Sequence, residues 1–430
     1  MANIRETALQ ALQNSLEKHS FLNLVNEDGS ELSPSEAAYA NMLCLSAFRN
    51  LAFIRSLLKT CLKKKLPNKA APAEYALILG ITEILFLNTP DYAAINSWVE
   101  IAKKKTDKFI GNMVNAVLRR ICREKDTITD AKKPFFPQSF REILKSDYTP
   151  ETILAMETAA AAEPPLALSV KSEPEKWAEM LRGKHLAANT VILSGGGKIS
   201  ALPGYADGSW WVQDFAASLP VTVLGNIQEK QILDLCAAPG GKTAQLLSRG
   251  ANVTSLDISE ERLQTLRQNI ERLRLPAPKI IAADAAEYLT GLEKPVFDII
   301  VLDAPCSATG IFRRHPELLH FKTKTDIQNQ AAIQKQILEA ASKALLPGGI
   351  LVYAVCSVAK AEGESQIRRF LQNNPGFSLI PLKPEDIDPA KTGEFSELFT
   401  KEGFIRTLPH MLPAYGGLDS FFIAKLQKEK

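Results

Sequence analysis

Five short apolar segments recur between residues 231 and 355 of this 430-residue chain. They are rich in β-branched residues and nearly continuous in their apolar character, as expected for strands that are covered on both faces. Segments with helical periodicity, at 241–249, 259–273, 326–345 and 361–373, separate most of them. The alternation predicts an open, mostly parallel α/β sheet. The five predicted strands are QILDL, NVTSLD, PKIIAAD, FDIIVLD and GILVYAV.

The ends of these predicted strands carry the residues that are capable of chemistry. Asp257, Asp284, Asp303 and Cys356 fall at the carboxyl ends, and Cys306 follows Asp303 by three residues. In open parallel sheets, ligands bind at the carboxyl ends of the strands. We therefore expect these side chains to line one site.

The loop CAAPGGKT follows the first predicted strand and opens a helix. It does not match the phosphate-binding P-loop, because Cys236 stands where that motif requires glycine. The dinucleotide fingerprint is absent as well, because Gly240 and Gly241 are adjacent. The loop is predicted to bring backbone N–H groups and a helix N-terminus against a small anionic group such as a carboxylate. The residues assigned to this cofactor loop are Cys236, Ala237, Ala238, Pro239, Gly240, Gly241 and Lys242, and the strand-end residues Asp257, Asp284 and Asp303 are assigned to cofactor binding with them.

Two aspartates beside the cofactor loop indicate the rest of the ligand. Asp257 ends the second strand, where an acidic side chain can take both hydroxyls of a ribose. Asp284 ends the third strand and can accept a hydrogen bond from an exocyclic amine. Either aspartate alone is more often a helix cap or a turn former. Together, beside a glycine turn, they favour a nucleoside with an anionic tail, and S-adenosylmethionine fits that description.

Cys306 and Cys356 are both expected at this ligand edge, although a lone cysteine is usually a small buried hydrophobe. Methylation of carbon 5 of a cytosine needs a thiolate, because attack at carbon 6 makes carbon 5 enamine-like. Asp303 is placed to stabilise the charge that develops on the ring. The residue chemistry alone leaves open which cysteine attacks.

The N-terminal region shows helical periodicity up to about residue 126. Apolar residues are spaced by three and four in EYALILGITEILFL (74–87) and in NMVNAVLRRICREK (112–125). Ser33 or Ser35 is a candidate N-cap. An all-α domain is predicted here. The next part of the chain has the pattern of a small α+β subdomain, with a short strand in LALSVKS (166–172).

Basic residues concentrate in the helical region. Residues 1–126 carry 17 Lys and Arg against 13 Asp and Glu, a balance of +4, whereas the whole chain has a net charge of +3. Clusters occur at Lys63-Lys64-Lys65, Lys103-Lys104-Lys105 and Arg119-Arg120. Each cluster alone is typical of a solvated helix face, but several on one small domain favour a polyanion-binding surface.

The apolar runs and the spacing of Cys and His predict where in the cell the protein is found and whether it binds a metal. No apolar run reaches the roughly 20 residues that span a bilayer, and the charged N-terminus lacks the apolar core of a signal peptide. These features predict a cytoplasmic protein, with no membrane partner, whose six cysteines stay reduced. The cysteines form no CxxC pair and the five histidines are scattered, so no metal site is expected.

Two sets of motifs carry a family resemblance. The first comprises VQDFAA, DLCAAPGGKT, LDIS, the strand-end Asp284, DAPCSATGIFRRHPE and YAVCSV. In these motifs the sequence resembles the RNA 5-methylcytosine methyltransferases, a family with two active-site cysteines. The second, LILGITEILFLNTPDYAAINSWVEIAK followed by NMVNAVLRRI, is similar to the helical domain of the antitermination factor NusB.

The resemblance implies three domains and a substrate. They are an all-α NusB-like domain that binds RNA or protein (1–130), a linker with a small α+β subdomain (131–220), and a Rossmann-like class I methyltransferase domain (221–430). S-adenosylmethionine is the implied methyl donor, and small-subunit (16S) ribosomal RNA, before full assembly, is the implied partner of a monomeric enzyme. The alternatives are a methyltransferase for another RNA, such as tRNA, and a catalytically idle RNA-binding assembly factor.

The resemblance also implies a role for each cysteine. The family nucleophile lies in a Thr/Ser-Cys-Ser tripeptide, which Cys356 matches except that Val355 precedes it. The cysteine of the Asp-Ala-Pro-Cys motif, Cys306 here, helps to release the methylated base. DNA cytosine methyltransferases use the Pro-Cys cysteine itself as the nucleophile, but the resemblance to the RNA enzymes predicts Cys356. The basic segment Arg313-Arg314-His315 is expected to contact RNA phosphates.

Overall fold

The computed structural model describes residues 4–24, 32–62, 64, 66–130, 136–195 and 197–430. The chain divides into two units, each with its own apolar core. The first comprises Met1–Glu142 and Arg314–Lys322, and the second comprises Ile143–Arg313 and Thr323–Lys430. Of the predicted basic clusters, Lys63 and Lys65 lie outside the described residues.

The first unit is a bundle of helices around α3 (Ala71–Phe86). The helices that pack on α3 are α1 (Ile4–Lys18), α2 (Pro34–Cys61), α4 (Asp91–Lys105) and α5 (Lys108–Arg123). Next in the chain come α6 (Lys125–Asp130), which contacts α5, and α7 (Gln138–Leu144), which begins in the first unit and ends in the second. Every residue of α3 from Tyr75 to Leu85 is buried, because a helix that is apolar on all sides belongs in the middle of a bundle. The predicted helical segments 74–87 and 112–125 fall mainly in α3 and α5, so the all-α prediction is confirmed.

The start of α2 is fixed by a capping box. The hydroxyl of Ser33 accepts a hydrogen bond from the backbone N of Glu36 (3.4 Å), and the Glu36 carboxylate accepts one from the backbone N of Ser33 (2.9 Å). Of the two candidate caps, Ser33 is therefore the N-cap of this helix. Such a cap typically contributes about 1 kcal/mol.

One carboxylate lies inside the helical core. Glu83 is fully buried and accepts hydrogen bonds from Arg5 (Nη2, 2.9 Å), from Trp98 (Nε1, 2.7 Å) and from the hydroxyl of Tyr39. Burial, followed by the hydrogen bond and charge of Glu83, raises the pKa of Tyr39 to about 12. These donors offset the cost of burying a charge.

A short segment from the C-terminal half of the sequence completes the first unit. Arg314–Lys322 contains a 3₁₀ helix at Pro316–His320. Nε2 of His320 lies 2.8 Å from the backbone O of Phe48, and the backbone N of Leu22 donates to Glu317 (3.2 Å). Burial lowers the pKa of His320 to about 4, so its ring is neutral at pH 7.

The second unit begins with a small antiparallel sheet. The strands of this sheet are β1 (Leu166–Val170), β2 (Lys184–His185), β3 (Thr190–Leu193) and β4 (Trp210–Val212). The helices in this part of the chain are α8 (Pro150–Ala160), α9 (Pro174–Met180) and α10 (Phe215–Thr222). The strand order is β2-β3-β1-β4. The strand predicted in LALSVKS is β1.

A larger mixed sheet follows, and it forms the rest of the second unit. Its strands are β5 (Gln231–Leu235), β6 (Asn252–Asp257), β7 (Lys279–Ala282), β8 (Phe297–Asp303), β9 (Leu345–Val355), β10 (Phe377–Ile380), β11 (Ile405–Arg406) and β12 (Phe422–Lys428). Its helices are α11 (Gly241–Ser248), α12 (Glu260–Arg272), α13 (Ala285–Thr290), α14 (Lys324–Ala344), α15 (Glu364–Asn373) and α16 (Thr392–Phe395). Among the described residues, no helix is both long and apolar enough to cross a membrane.

The strand order of the larger sheet is β10-β12-β9-β8-β5-β6-β7, with β11 paired to β12. The strands from β9 to β7 are parallel, which confirms the predicted parallel α/β sheet. The register aligns their carboxyl ends: Leu235 pairs with Leu302 and Leu256, and Asp303 pairs with Ala354. Residues that follow these strands therefore share one edge of the sheet.

Candidate active site

The cofactor loop turns sharply between β5 and α11. Cys236 has a φ of 60° and Gly240 a φ of 104°. A Cβ atom at Gly240 would lie 2.9 Å from Cγ of Leu266 in α12, so both the turn and the close approach of that helix require glycine. The turn leads directly into Gly241, and it leaves the N–H groups of the first turn of α11 at the sheet edge.

Asp257 holds the cofactor loop from the neighbouring strand β6. Its carboxylate is 2% exposed and accepts hydrogen bonds from the backbone N of Ala238 (3.1 Å) and of Ser259 (3.0 Å). Oδ2 also lies 3.5 Å from Nη1 of Arg262. A carboxylate offers about four acceptor positions, so these contacts leave acceptor capacity for a ligand. The next residue, Ile258, is 72% exposed and gives this edge an apolar surface.

Asp284 follows β7, which ends two residues earlier at Ala282. Its side chain is exposed and forms the N-cap of α13, where Oδ1 accepts a hydrogen bond from the backbone N of Glu287 (3.0 Å). Capping is the ordinary role of an aspartate at this position. The cap engages one of its two carboxylate oxygens.

An ion pair joins the cofactor loop to β8. Nζ of Lys242 lies 2.6 Å from Oδ2 of Asp303, and the two side chains are 8% and 31% exposed. Burial acts to lower the pKa of Lys242, but the charge and hydrogen bond of Asp303, with the charges of Asp234 and Cys356, raise it above its ordinary value. The ammonium group therefore stays charged, while Asp303 is still accessible to a ligand.

Cys306 and Cys356 meet beside this ion pair. Their Sγ atoms lie 3.1 Å apart, and both cysteines are free and partly exposed. The hydrogen bond with Cys356, then burial, then the negative charges of Cys356 and Glu362 raise the pKa of Cys306 well above its ordinary value. Cys306 therefore keeps its proton at neutral pH. Within the described ranges, no group of three or more His, Cys, Asp or Glu side chains is arranged to hold a metal ion.

Comparison with known proteins identifies the family. Residues 221–427 match the family described as 16S rRNA methyltransferase RsmB/F, and residues 2–123 match the NusB family. The chain is 31% identical over 446 residues to ribosomal RNA small subunit methyltransferase B of Vibrio cholerae, covering 99% of this chain and 98% of that protein. The chain belongs to the RsmB/F family. A relative of the same name from Vibrio vulnificus is 30% identical, covering 99% of this chain and 100% of that protein.

Solved structures share the fold of this RsmB/F-family chain. NSun6 from Pyrococcus horikoshii, solved with SFG, has a TM-score of 0.56 at 21% identity and covers 69% of this chain and 99% of its own. A methyltransferase homolog protein from the same organism has a TM-score of 0.52 at 24% identity, covering 68% of this chain and 99% of its own. The predicted class I methyltransferase fold is thereby confirmed.

The structure arranges the predicted site residues of the RsmB/F-family chain along one edge in strand order. Cys356 follows β9, Asp303 ends β8, the cofactor loop follows β5, Asp257 ends β6, and Asp284 follows β7. Two close contacts lie where β9, β8 and β5 end: the Lys242–Asp303 ion pair (2.6 Å) and the Cys306–Cys356 pair of sulfurs (3.1 Å). Asp284 lies at the far end of this row.

The expectation that Arg313 contacts RNA phosphate is wrong. Arg313 is 1% exposed, and its guanidinium donates to the backbone O of Gly416 (2.6 Å) and of Leu418 (3.4 Å). It fixes the C-terminal segment and is not available to a polyanion. The run of basic residues in the sequence gave no sign that its first member is buried.

Sequence reasoning missed a buried polar cluster behind the cysteines. Glu362 is fully buried and accepts hydrogen bonds from Ser307 and Ser357, the residues immediately after the two cysteines. The repeated Cys-Ser pair is visible in CSATG and CSVAK. No helix or strand periodicity links those pairs to Glu362, so the sequence did not indicate their shared partner.

Proposed function

We propose that this protein transfers a methyl group from S-adenosylmethionine to carbon 5 of a cytosine in 16S ribosomal RNA, through a covalent adduct with Cys356. The observation that carries the proposal is the pair of sulfurs, 3.1 Å apart, beside the Lys242–Asp303 ion pair. Two thiols serve a reaction that needs one covalent attack and one assisted release. The relatives named ribosomal RNA small subunit methyltransferase B support the choice of RNA.

The carboxyl edge of the sheet fits S-adenosylmethionine. The backbone N–H groups of the cofactor loop would hold the amino-acid end, and Asp257 would accept hydrogen bonds from the ribose hydroxyls. The exposed Ile258 would pack against the adenine, and Asp284 would accept a hydrogen bond from its amine. When bound, the cofactor supplies the methyl group that carbon 5 receives. The structure of NSun6 was solved with SFG, an analogue of S-adenosylmethionine, which supports this assignment.

Cys356 makes the covalent attack. Its thiolate forms a bond to carbon 6 of the ring, and the displaced electrons make carbon 5 nucleophilic. The Lys242 ammonium attracts a thiolate at Cys356, since the charge of Cys356 is one of the causes that raise the pKa of Lys242. As the thiolate adds, Asp303 passes a proton from the Lys242 ammonium to the ring nitrogen, which neutralises the negative charge that develops there.

Cys306 assists the release of the product. After methylation a water molecule in the site accepts the proton from carbon 5, and the electrons of that carbon–hydrogen bond form the double bond between carbons 5 and 6. The Cys356 sulfur departs with the electrons of the sulfur–carbon bond. Cys306 keeps its proton because its pKa is raised, and its sulfur lies 3.1 Å from the departing sulfur. A hydrogen bond from Cys306 stabilises the thiolate that forms.

The proposal also assigns roles to the three predicted domains. Residues 1–130 bind RNA or protein, 131–220 form a linker and small subdomain, and 221–430 carry out methyl transfer. The exposed Lys104 and Arg119 of the helical unit support a contact with RNA. The enzyme acts as a cytoplasmic monomer on ribosomal RNA that is not yet fully assembled.

Labelled S-adenosylmethionine and unmodified 16S ribosomal RNA test the proposal, followed by mapping of the methylated base. The expected result is label on carbon 5 of a cytosine with the wild-type protein and none with Cys356→Ala. Label on another atom or base contradicts the proposed reaction. Label in transfer RNA but not in ribosomal RNA favours the alternative substrate.

A further inference from the structure

One buried carboxylate contacts both cysteine loops. Oε1 of Glu362 accepts a hydrogen bond from the backbone N of Ser307 (2.8 Å), and Oε2 accepts from the hydroxyl of Ser307 (2.5 Å) and from that of Ser357. Ser307 follows Cys306, and Ser357 follows Cys356. Glu362 therefore binds the positions next to both sulfurs at once.

The surroundings of Glu362 hold it in place with neutral groups. Gln334 Nε2 donates to Oε1 (2.9 Å) and also to the backbone O of Pro305 (2.9 Å), and the hydroxyl of Tyr353 donates to the backbone O of Glu362 (2.7 Å). Every hydrogen-bond donor that the structure shows for Glu362 is uncharged. A buried carboxylate without a cation is costly unless its acceptors are filled, so this network must be well formed.

A carboxylate in this position controls where the serine hydroxyls point. An ionised carboxylate only accepts hydrogen bonds, so both hydroxyls donate toward Glu362. The protons of Ser307 and Ser357 are thereby not offered to the cysteine sulfurs. Cys306 and Cys356 are left as partners of each other.

We propose that Glu362 is a positioning residue that fixes the separation of the two cysteine sulfurs by binding Ser307 and Ser357. The inference rests on the proposed function of the cysteines in attack and release. Glu362 touches neither sulfur in this network, and it acts through the two serines. Its loss therefore changes the geometry of the pair without removing either thiol.

A second contact between the loops does not depend on Glu362. The backbone N of Gly310 donates to the backbone O of Cys356 (2.9 Å), and a Cβ at Gly310 would lie 2.8 Å from the carbonyl carbon of Cys356. The loops therefore touch backbone to backbone. We expect variants of Glu362 to keep the fold while losing the fine placement of the side chains.

Glu362→Gln is the direct test, because its amide offers one acceptor oxygen and one NH₂ donor where the carboxylate offers two acceptors. We expect kcat for methyl transfer to fall roughly 10- to 100-fold, since small misplacements of reacting groups have effects of this size. KM for RNA and for S-adenosylmethionine should stay within about twofold. An unchanged kcat in a folded variant overturns the proposal.

The serines provide milder variants in case Glu362→Gln does not fold. Ser307→Ala and Ser357→Ala should each lower kcat, and the double serine variant should be little worse than either single variant, because the residues act as one unit. Effects that multiply overturn the proposal. Ser342→Ala is the matched control, since its buried hydroxyl donates to the backbone O of Glu339 in α14 and should leave kcat unchanged.

The positions of the sulfurs can also be measured without methyl transfer. Diamide oxidises two neighbouring thiols to a disulfide and is itself reduced to the hydrazine. We expect mass spectrometry to show that the Cys306–Cys356 disulfide forms at least about fivefold more slowly in Glu362→Gln, because the sulfurs are no longer held together. Equal rates overturn the inference even if methyl transfer falls. Wild-type protein that cross-links but does not methylate RNA contradicts the proposed function instead.

Discussion

The Sγ atoms of Cys306 and Cys356 lie 3.1 Å apart although the residues are 50 positions apart in sequence. The adjacent parallel strands β8 and β9 bring them together, because Asp303 pairs with Ala354 and each cysteine follows its paired residue by two or three positions. Two thiols in such contact act as a unit. Substituting either one changes the hydrogen bonding and charge of the other, so effects of single variants should not be additive.

The placement of the cofactor predicts the effect of substituting Asp257. Asp257→Ala should weaken binding of S-adenosylmethionine by about 1.5–3 kcal/mol, because the variant cannot form charged hydrogen bonds to the ribose. Isothermal titration calorimetry measures the change. The control is Asp298→Ala. Asp298 accepts a hydrogen bond from the backbone N of Gln231 at the amino ends of β8 and β5, which is the edge of the sheet opposite to the cofactor loop. Unchanged affinity in a folded Asp257 variant contradicts the placement.

The ion pair between Lys242 and Asp303 predicts a shared contribution to the rate. Lys242→Met and Asp303→Asn should each lower kcat/KM by roughly 100-fold or more, because each removes preorganised charge at the reacting ring. The double variant should be little worse than either single variant. Steady-state values of kcat/KM for the two single variants and the double variant give the coupling free energy between Lys242 and Asp303. If the two single effects multiply, the residues act independently.

The buried Asp234 predicts a dependence of stability on pH. Burial raises its pKa to about 7, and Oδ1 has no hydrogen-bond partner among the described residues. Between its ordinary value of 3.8 and about 7 the folded state holds a proton that the unfolded state releases, so rising pH destabilises the fold. Asp234→Asn should therefore gain up to a few kcal/mol over wild type at pH 8, and little at pH 4, where both forms are uncharged.

Urea unfolding of wild type and Asp234→Asn between pH 4 and 9 measures this difference. The gain should level off above pH 7, once the folded carboxylate has ionised. Thr243→Val serves as a control, because the Thr243 hydroxyl donates to Asp234 Oδ2 (2.6 Å) and its removal leaves the titrating group in place. A gain that is the same at every pH shows that Asp234 does not titrate there.

The basic helical unit predicts a salt-dependent affinity for RNA. Lys104→Ala with Arg119→Ala should reduce the slope of log affinity against log salt by roughly 0.7 to 0.9 for each phosphate that the variant no longer neutralises. The matched control is Lys230→Ala with Lys279→Ala, which removes two exposed charges at the amino ends of β5 and β7. If both pairs change the slope equally, the helical unit has no special role in RNA binding.

Much of the parallel sheet could be predicted from the sequence. QILDL, NVTSLD and FDIIVLD coincide with β5, β6 and β8, because doubly covered strands are continuous apolar runs with polar residues at their ends. The antiparallel edge was not predicted. β12 enters the sheet between β9 and β10, and its pairing with β9 joins segments about 70 residues apart in sequence with no local signal.

The site was predictable where it depends on strand ends, and less so where it depends on side-chain contacts. Asp303 and the two cysteines lie where the strand ends put them. Asp284 was expected to end a strand. β7 instead stops at Ala282, and the side chain of Asp284 caps α13. The burial of Arg313 and the network around Glu362 depend on how distant loops pack, which periodicity does not encode.

The assignment of the nucleophile is the central claim, and a covalent trap tests it. Each cysteine is replaced by alanine, and each variant is incubated with S-adenosylmethionine and unmodified 16S ribosomal RNA. A protein–RNA adduct appears as a slow band on a denaturing gel and disappears on nuclease digestion. The control is Cys44→Ala, because Cys44 is buried in the helical unit and should not affect the adduct.

Cys306→Ala should attack and methylate the RNA and then accumulate the adduct, because the thiol that assists release is missing. Cys356→Ala should form no adduct and transfer no methyl group, because no thiolate reaches carbon 6. The opposite pattern, with the adduct in Cys356→Ala and none in Cys306→Ala, contradicts the account and makes Cys306 the nucleophile.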